Sequence, residues 1–476
     1  MTGTLAERLA SFAAETGLLQ LPDEVVESTK QRVLDTLGVC LASASFGLGE
    51  GVTKLVRGWG GHADAGIVGD TSEEAYPAPH AALVNGTLAH SLDFDDTHLP
   101  SVLHPSASIV PAALACAQAE RRSGADALAA IAVGVEVTVR LGMAGYVAGS
   151  NVWFERGWHA TSICGTLGAA VAGAKLLGLD AEGIGHVQGI AASMGSGVIE
   201  ANRAGGTVKR LHCGWAAHAG LTAAELARNG YSGPPTVLEG RFGFYHAFVG
   251  NAFDPQVVVD GLGDRWELPG IFFKPYPANH YTHAGVDAAL AVRRAHGPLD
   301  PDEIERIELG VARSALRTIG EPREEKTRPR SGYHAQFSGP FTVAAALLGG
   351  GGGLGVWFED FSDAMARDPR RLALAQKVDT VVDEACDQLF PRQFPAVLRV
   401  HLVDGTTYEE RVMRNRGGPD NPLSQDELRR KFALNAGRRL SSEAVDQLAE
   451  AVLSLERLPA VDELLALTRA AAQPAR

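Results

Sequence analysis

Cysteine is scarce and poorly spaced for metal chemistry. The chain has five in 476 residues, Cys40, Cys116, Cys164, Cys213 and Cys386, and no CxxC pair. The usual thiolate sets of structural zinc and iron–sulfur clusters are therefore missing. Four of the five stand in apolar, Ala/Gly-rich stretches and read as small core residues. Positive charge is also short: 43 Lys and Arg face 56 Asp and Glu, a net charge of −13. This argues against a nucleic-acid binder, which needs a basic face. The opening residues MTGTLAERLASFAAE carry Glu7 and Arg8 where a secretory signal needs an apolar run, so a cytoplasmic location is expected. The one apolar window of membrane-spanning length, Phe341–Phe358, is interrupted by five glycines, Gly349–Gly353, and reads as a buried helix followed by a mobile loop. GxSxG, GxxxxGK[ST] and HExxH are all absent, and nothing suggests NAD or ATP.

What is present is a folded, glycine-rich chain. Apolar residues make up 45% and charged residues 21%, as in ordinary globular proteins, while glycine reaches 55 residues. The length exceeds what one core normally supports and predicts two domains, or one with an insertion. Helical spacing of apolar residues follows the Leu21-Pro22-Asp23-Glu24 start and recurs over Pro79–Leu92, Pro105–Arg121, Asp126–Gly142, Thr161–Leu177 and Val208–Asn229. These segments are rich in Ala and Gly, which lets helix axes approach closely. Near residue 270 the pattern changes. Glu303–Val311 alternates polar and apolar, and Ala396–Val412 holds two alternating runs joined by Asp404-Gly405, a hairpin signal. Helical patterning returns at Ser424–Phe432 and Ser441–Leu455. The expected fold is mainly α with an α+β insertion. Residues 1–269 and 415–476 form a large multi-helix domain from both termini, and 270–414 form a smaller α+β lid domain.

Four segments can carry chemistry. His90-Ser91-Leu92-Asp93-Phe94-Asp95-Asp96-Thr97-His98, with His104-Pro105-Ser106 behind it, packs carboxylates, a hydroxyl and imidazoles into an otherwise apolar region. Asp93, Asp96 or Thr97 would orient a substrate, and His104 would stand where the next helix offers free N–H groups to an anion. The same residue types also cap helices, and Asp and His are metal ligands. Gly157-Trp158-His159-Ala160-Thr161-Ser162 puts His159 at another helix start, where the dipole would favour neutral imidazole. A half-buried structural histidine is the alternative. Thr207-Val208-Lys209-Arg210-Leu211-His212 opens a further helix, with Lys209 as a cation for an anionic ligand or as an acid/base group and His212 beside it for binding; a solvated face is the plainer reading. Lys274 lies between aromatics and prolines in Phe272-Phe273-Lys274-Pro275-Tyr276-Pro277, at the expected domain boundary or a simple hinge.

Taken in order, DFDDTH with HPS behind it, GWHATS, KRLHCGWAAHAG, FFKPYPANHYTH, HAQFSGPF and NPLSQDELRRKF resemble the MmgE/PrpD family, from about residue 5 to about 455. That family includes 2-methylcitrate dehydratase, cis-aconitate decarboxylase and iminodisuccinate epimerase. The resemblance implies a homodimer acting on a small di- or tricarboxylate, with no metal or organic cofactor, no nucleic acid and no membrane. It places Asp93, Thr97, His104, His159, Lys209 and Lys274 at active-site positions. It also puts Phe341 where the decarboxylase branch carries a tyrosine, and phenylalanine cannot donate a proton. The Asp-Asp-Thr-His form looks more like the epimerase-type and uncharacterised branches. The implied chemistry is common to these branches. Loss of a proton or of CO₂ beside a carboxylate builds negative charge that cations stabilise, and a neighbouring base or acid moves the proton. A lyase is expected first, an epimerase or isomerase of a small dicarboxylate next, and a non-catalytic polycarboxylate-binding protein on the same scaffold as the reading from another class.

Overall fold

The computed structural model describes residues 3–72, 74–201 and 206–469. The fold is mainly α with a smaller α+β part, and the chain divides into two compact units, Met1–Ile271 with Phe432–Arg476, and Phe272–Lys431.

In the first unit the helical segments fall close to where apolar spacing puts them: Asp23–Ser45, Ala78–His90, Ser106–Ala119, Gly124–Ala144, Ala160–Leu176 and Val208–Arg228. Several are apolar on every side and buried on every side, so their polar ends rather than their flanks are available for chemistry. Gly124–Ala144 is long and apolar enough to cross a membrane, yet it is almost wholly buried inside the protein. The Val208–Arg228 helix packs against both Ala78–His90 and Ala160–Leu176. Glycine is required at the first of these contacts. A Cβ on Gly214 would lie 2.2 Å from the Leu83 carbonyl oxygen and 2.4 Å from Thr87 Oγ1. The Leu83 carbonyl, and the Thr87 backbone nitrogen at 2.9 Å, cannot retreat without moving the helix. Gly214→Ala is therefore expected to destabilise the protein by about 1–3 kcal/mol, an overpacking cost, and to lower the thermal midpoint by several degrees. An unchanged midpoint would show that the helices are not held at this distance.

The second unit holds a four-stranded sheet in the order Val378–Val382, Ile304–Val311, Ala396–Leu402, Thr407–Val412. The first pair is parallel, with Ile307 opposite Val378; the other pairs are antiparallel. Asp404-Gly405 makes the expected hairpin turn, with Gly405 at φ 89°. Helices His283–His296 and Gly339–Leu347 pack with this sheet and with each other. The glycine run Gly349–Gly353 is a loop as expected, tied to the unit by Asp360, whose Oδ2 accepts from the N–H of Gly351 (2.6 Å) and of Trp357 (2.8 Å).

The return boundary differs from the pattern-based one. Residues 415–431 group with the second unit rather than with the helical one. Arg416 accounts for this: its guanidinium reaches the Tyr276 hydroxyl (3.1 Å) and pairs with Glu427, while the Gly417 carbonyl accepts from Phe273 N–H (2.9 Å).

Candidate active site

The site is built by helix ends of the first unit. The Ala78–His90 helix ends on His90, and the chain then enters a compact loop. Asp93 adopts the left-handed region at φ 53°, which Asp tolerates better than most residues. A two-way backbone bridge between His98 and Leu103 (2.8 and 3.3 Å) folds the loop back on itself. His104 is thereby returned to Asp96 and Thr97, just ahead of the Ser106–Ala119 helix. His104 Nδ1 donates to the Asp96 carbonyl (2.7 Å), with Thr97 Oγ1 at 3.4 Å, and His104 N–H donates to Thr161 Oγ1 (3.3 Å).

His159 is the N-cap residue of Ala160–Leu176, as its sequence setting predicts. Gly157 precedes it at φ 81°, a turn that favours glycine. The Val208–Arg228 helix brings Lys209 and His212 on adjacent turns of one face. Lys209 Nζ lies 2.9 Å from Asp93 Oδ1, both side chains buried. The ammonium is thus paired with a carboxylate, so an anionic ligand would have to share it with Asp93.

Four imidazoles form a continuous chain. Ring centroids are 5.3 Å apart for His104–His90, 5.6 Å for His90–His159 and 4.9 Å for His159–His212. The Nδ1 atoms of His159 and His212 are 2.7 Å apart. That contact needs one donor and one acceptor. The ring that donates through Nδ1 then has a bare Nε2, and the neutral ring that accepts carries its proton on Nε2. The couple therefore offers one proton acceptor and one proton donor side by side.

Burial lowers the proton affinity of His159 well below the ordinary histidine value, and the neighbouring His90, His212, Lys209 and His104 add to this. Burial first, then His90 and Lys209, lowers His212 to about 4. The helix dipole invoked from sequence is not needed for the direction. Asp96 behaves oppositely. Burial pushes its carboxyl up to about 6, with Arg32 and Ser106 partly opposing. Arg32 approaches it at 3.5 Å from the Asp23–Ser45 helix, and Ser106 donates to it from both N–H and hydroxyl.

These shifts set how stability depends on acid. His212, and His98, which burial and Arg32 lower to about 3, bind protons near 6.5 when unfolded. The folded state then holds fewer protons, so stability falls as pH drops below about 6.5. Asp96 has the reverse sign, because its folded carboxyl takes up a proton before the unfolded one does. The histidines outweigh it. A net loss of roughly 3 kcal/mol between pH 7 and pH 4 is expected in urea midpoints. Rising stability over that range would contradict the assignment of buried neutral imidazoles.

Of the residues picked out from sequence, Asp93, Asp96, Thr97, His104, His159, Lys209 and His212 come together here. Lys274 is buried and belongs to the second unit. Pattern reading named His90 and Asp95 within the same run without assigning them a role, and it missed Arg32 altogether. Phe341 is fully buried in the apolar core of the second unit.

One group among the described residues, His90, Asp95 and Cys213, has ligand atoms within 4.8 Å of one another and could hold a metal ion. His90 Nδ1 and Asp95 Oδ2 are already hydrogen-bonded at 2.6 Å, and burial raises the Cys213 thiol well above its ordinary value. A metal would have to displace both protons. Turnover is accordingly expected to survive exhaustive chelation; activity that is lost and then restored by zinc would contradict this.

Imidazoles, carboxylates and one paired ammonium are thus buried together on a helical scaffold, groups of the kind that transfer protons. The chain belongs to the MmgE/PrpD family. The MmgE/PrpD N-terminal domain matches residues 7–256 and the C-terminal domain residues 276–457. Human cis-aconitate decarboxylase is 31% identical to it, with 100% of this chain and 96% of the relative aligned. The mouse cis-aconitate decarboxylase is also 31% identical, over 96% of this chain and 92% of the relative. A cis-aconitate decarboxylase of Aspergillus terreus is 28% identical over 98% and 96%.

Proposed function

We propose that the protein is a lyase of a small tricarboxylate, and that its reaction is decarboxylation of cis-aconitate or a close analogue, without metal or organic cofactor. The observation that carries this reading is the near full-length similarity to decarboxylases of mammals and fungi, joined to a site equipped for proton transfer. In such a reaction the bond from carbon to one carboxylate breaks and CO₂ leaves. The electron pair stays on the carbon skeleton and delocalises through the double bond toward a remaining carboxylate. The Lys209–Asp93 pair and His104 face that charge, and the carboxylate of the substrate competes with Asp93 for the ammonium. A proton from the His159–His212 couple then adds to carbon, and solvent restores it. A water-poor site strengthens each of these interactions.

Phe341 supports a narrower alternative within the same class. Where a tyrosine is expected for decarboxylation this chain has a side chain that cannot donate a proton, so dehydration of a hydroxy-tricarboxylate is the second reading. A panel of cis-aconitate, citrate-like hydroxy acids and aspartate-derived diacids separates them. Release of CO₂ from cis-aconitate at a rate well above that from the others is the expected result. Water loss without CO₂ would move the assignment to dehydratase, and inversion at an α-carbon without net product would move it to epimerase.

A further inference from the structure

Arg32 is deeply buried and reaches two parts of the first unit at once. Its Nη1 lies 3.5 Å from Asp96 Oδ2, and its Nη2 donates to the Ile271 carbonyl at 2.5 Å. Asp96 is equally buried, and both of its carboxylate oxygens are engaged. Oδ1 accepts from Ser106 N–H (3.3 Å), and Oδ2 accepts from the Ser106 hydroxyl while it faces Arg32. A carboxylate committed in this way is a poor substrate ligand, which is the task its sequence setting suggests. Its main-chain carbonyl has a different partner, His104 Nδ1 at 2.7 Å. Asp96 thus closes the loop 96–106 twice, by its side chain onto Ser106 and by its carbonyl onto His104. The His98–Leu103 bridge lies within that ring.

We infer that Arg32 and Asp96 are positioning residues for His104: the guanidinium and Ser106 fix the Asp96 carboxylate, the carbonyl of the same residue is thereby aimed at Nδ1, and His104 is kept in the tautomer that presents Nε2 to the substrate. A carbonyl oxygen only accepts, so the 2.7 Å contact places a proton on Nδ1. In the neutral ring Nε2 is then bare, and in the charged ring it is the second donor. In both states Nε2 is the nitrogen left for a substrate. Thr97 Oγ1, at 3.4 Å, is too far from Nδ1 to take over this bond. The backbone of His104 is held separately, by its N–H to Thr161 Oγ1 at 3.3 Å, so the ring depends on the Asp96 carbonyl for its orientation. Arginine suits the outer position because its planar fork spans two acceptors, here a carboxylate and a carbonyl. A lysine there would keep the charge and lose the fork.

The inference rests on the catalytic reading of this site for its effect on rate, and it has a readout that needs no substrate. Imidazole nitrogen NMR at about pH 8, where free histidine is neutral, reports the tautomer directly. The unmodified protein is expected to show His104 with a proton on Nδ1 and a bare Nε2. In Arg32→Lys and in Asp96→Asn the ring is expected to become a mixture of both tautomers. In both variants kcat on cis-aconitate should fall by about ten- to a hundredfold, the cost of a misaimed catalytic group, with KM within about threefold of the parent. Ser106→Ala, which removes one donor to the carboxylate and leaves the guanidinium, should show the same change in smaller degree. A proton on Nε2 and none on Nδ1 of His104 in the unmodified protein overturns the inference, and does so even if no variant folds. An unchanged tautomer in Arg32→Lys and Asp96→Asn overturns it too, because a purely structural role lowers the rate and leaves the ring as it was. A raised KM at constant kcat in Asp96→Asn would make Asp96 a substrate ligand and has the same consequence. Mixed tautomers in the variants, together with no turnover of cis-aconitate by the unmodified protein, would leave Arg32 and Asp96 in their role and reject the decarboxylase reading alone.

Discussion

Lys209→Met is expected to reduce turnover by about a thousandfold and, separately, to destabilise the first unit by about 3–5 kcal/mol, the cost of leaving one member of a buried ion pair without its partner. The two losses have different origins. Asp93 and Lys209 are both buried, 2.9 Å apart, and come from positions 116 residues apart in the chain. Removing the ammonium takes a cation from a buried carboxylate, in a loop whose Asp93 already adopts a left-handed backbone. Removing it also takes away a cation that acts on the imidazole couple and would balance the charge developing on the substrate. The double variant Lys209→Met/Asp93→Asn separates these. It should recover most of the stability, because no charge is left buried alone, and none of the turnover. A strong positive coupling in stability with no coupling in rate is the signature. Recovery of turnover in the double variant would mean that Lys209 serves the fold and not the reaction.

The second large effect is at His159. His159→Gln is expected to lower kcat by two to four orders of magnitude, the usual worth of a positioned acid or base, with a small change in KM. Stability at neutral pH should change little, because the side chain does not cap its helix and the ring is held neutral. Below pH 6 the variant should be more resistant to acid than the parent, since a buried imidazole that must charge on unfolding has been removed. His212→Gln should share the loss of rate, because the two rings meet through Nδ1 atoms at 2.7 Å and neither keeps its tautomer without the other. A His212 variant with full activity would show that the couple is not the proton donor.

Much of this is legible in the sequence, for reasons that differ by element. The long helices repeat apolar residues over several turns, and Asp404-Gly405 sits between two alternating runs, so both were accessible to period and turn chemistry. The parallel strand Val378–Val382 was not seen. Its five residues, VDTVV, put a charge in second place and are too short for a period to show. Four-residue helices such as Val152–Glu155 escape for the same reason.

In the site, His104 and His159 were legible because a helix start leaves a local signature of Pro, Gly, Ser and Thr. Their partners were not. Lys209 reads from sequence as a cation awaiting a ligand, and only the packing of Val208–Arg228 on Ala78–His90 reveals Asp93 against it. His90 ends an apolar helix and looks like a core histidine; its place between His104 and His159 depends on three segments meeting. Arg32 lies inside a long helix with no motif around it, and reaches Asp96 across 64 residues. Long-range pairing of charges is set by tertiary packing, which no local pattern encodes.

The central claim is that this cluster breaks a carbon–carboxylate bond and delivers a proton to carbon. Incubation of the protein with cis-aconitate in D₂O, followed by NMR, tests it directly. The account predicts one CO₂ and one five-carbon dicarboxylate per substrate consumed, with a single deuterium on carbon, and loss of both products in His159→Gln. Consumption without CO₂, or a five-carbon product formed at an undiminished rate by the His159 variant, would contradict it.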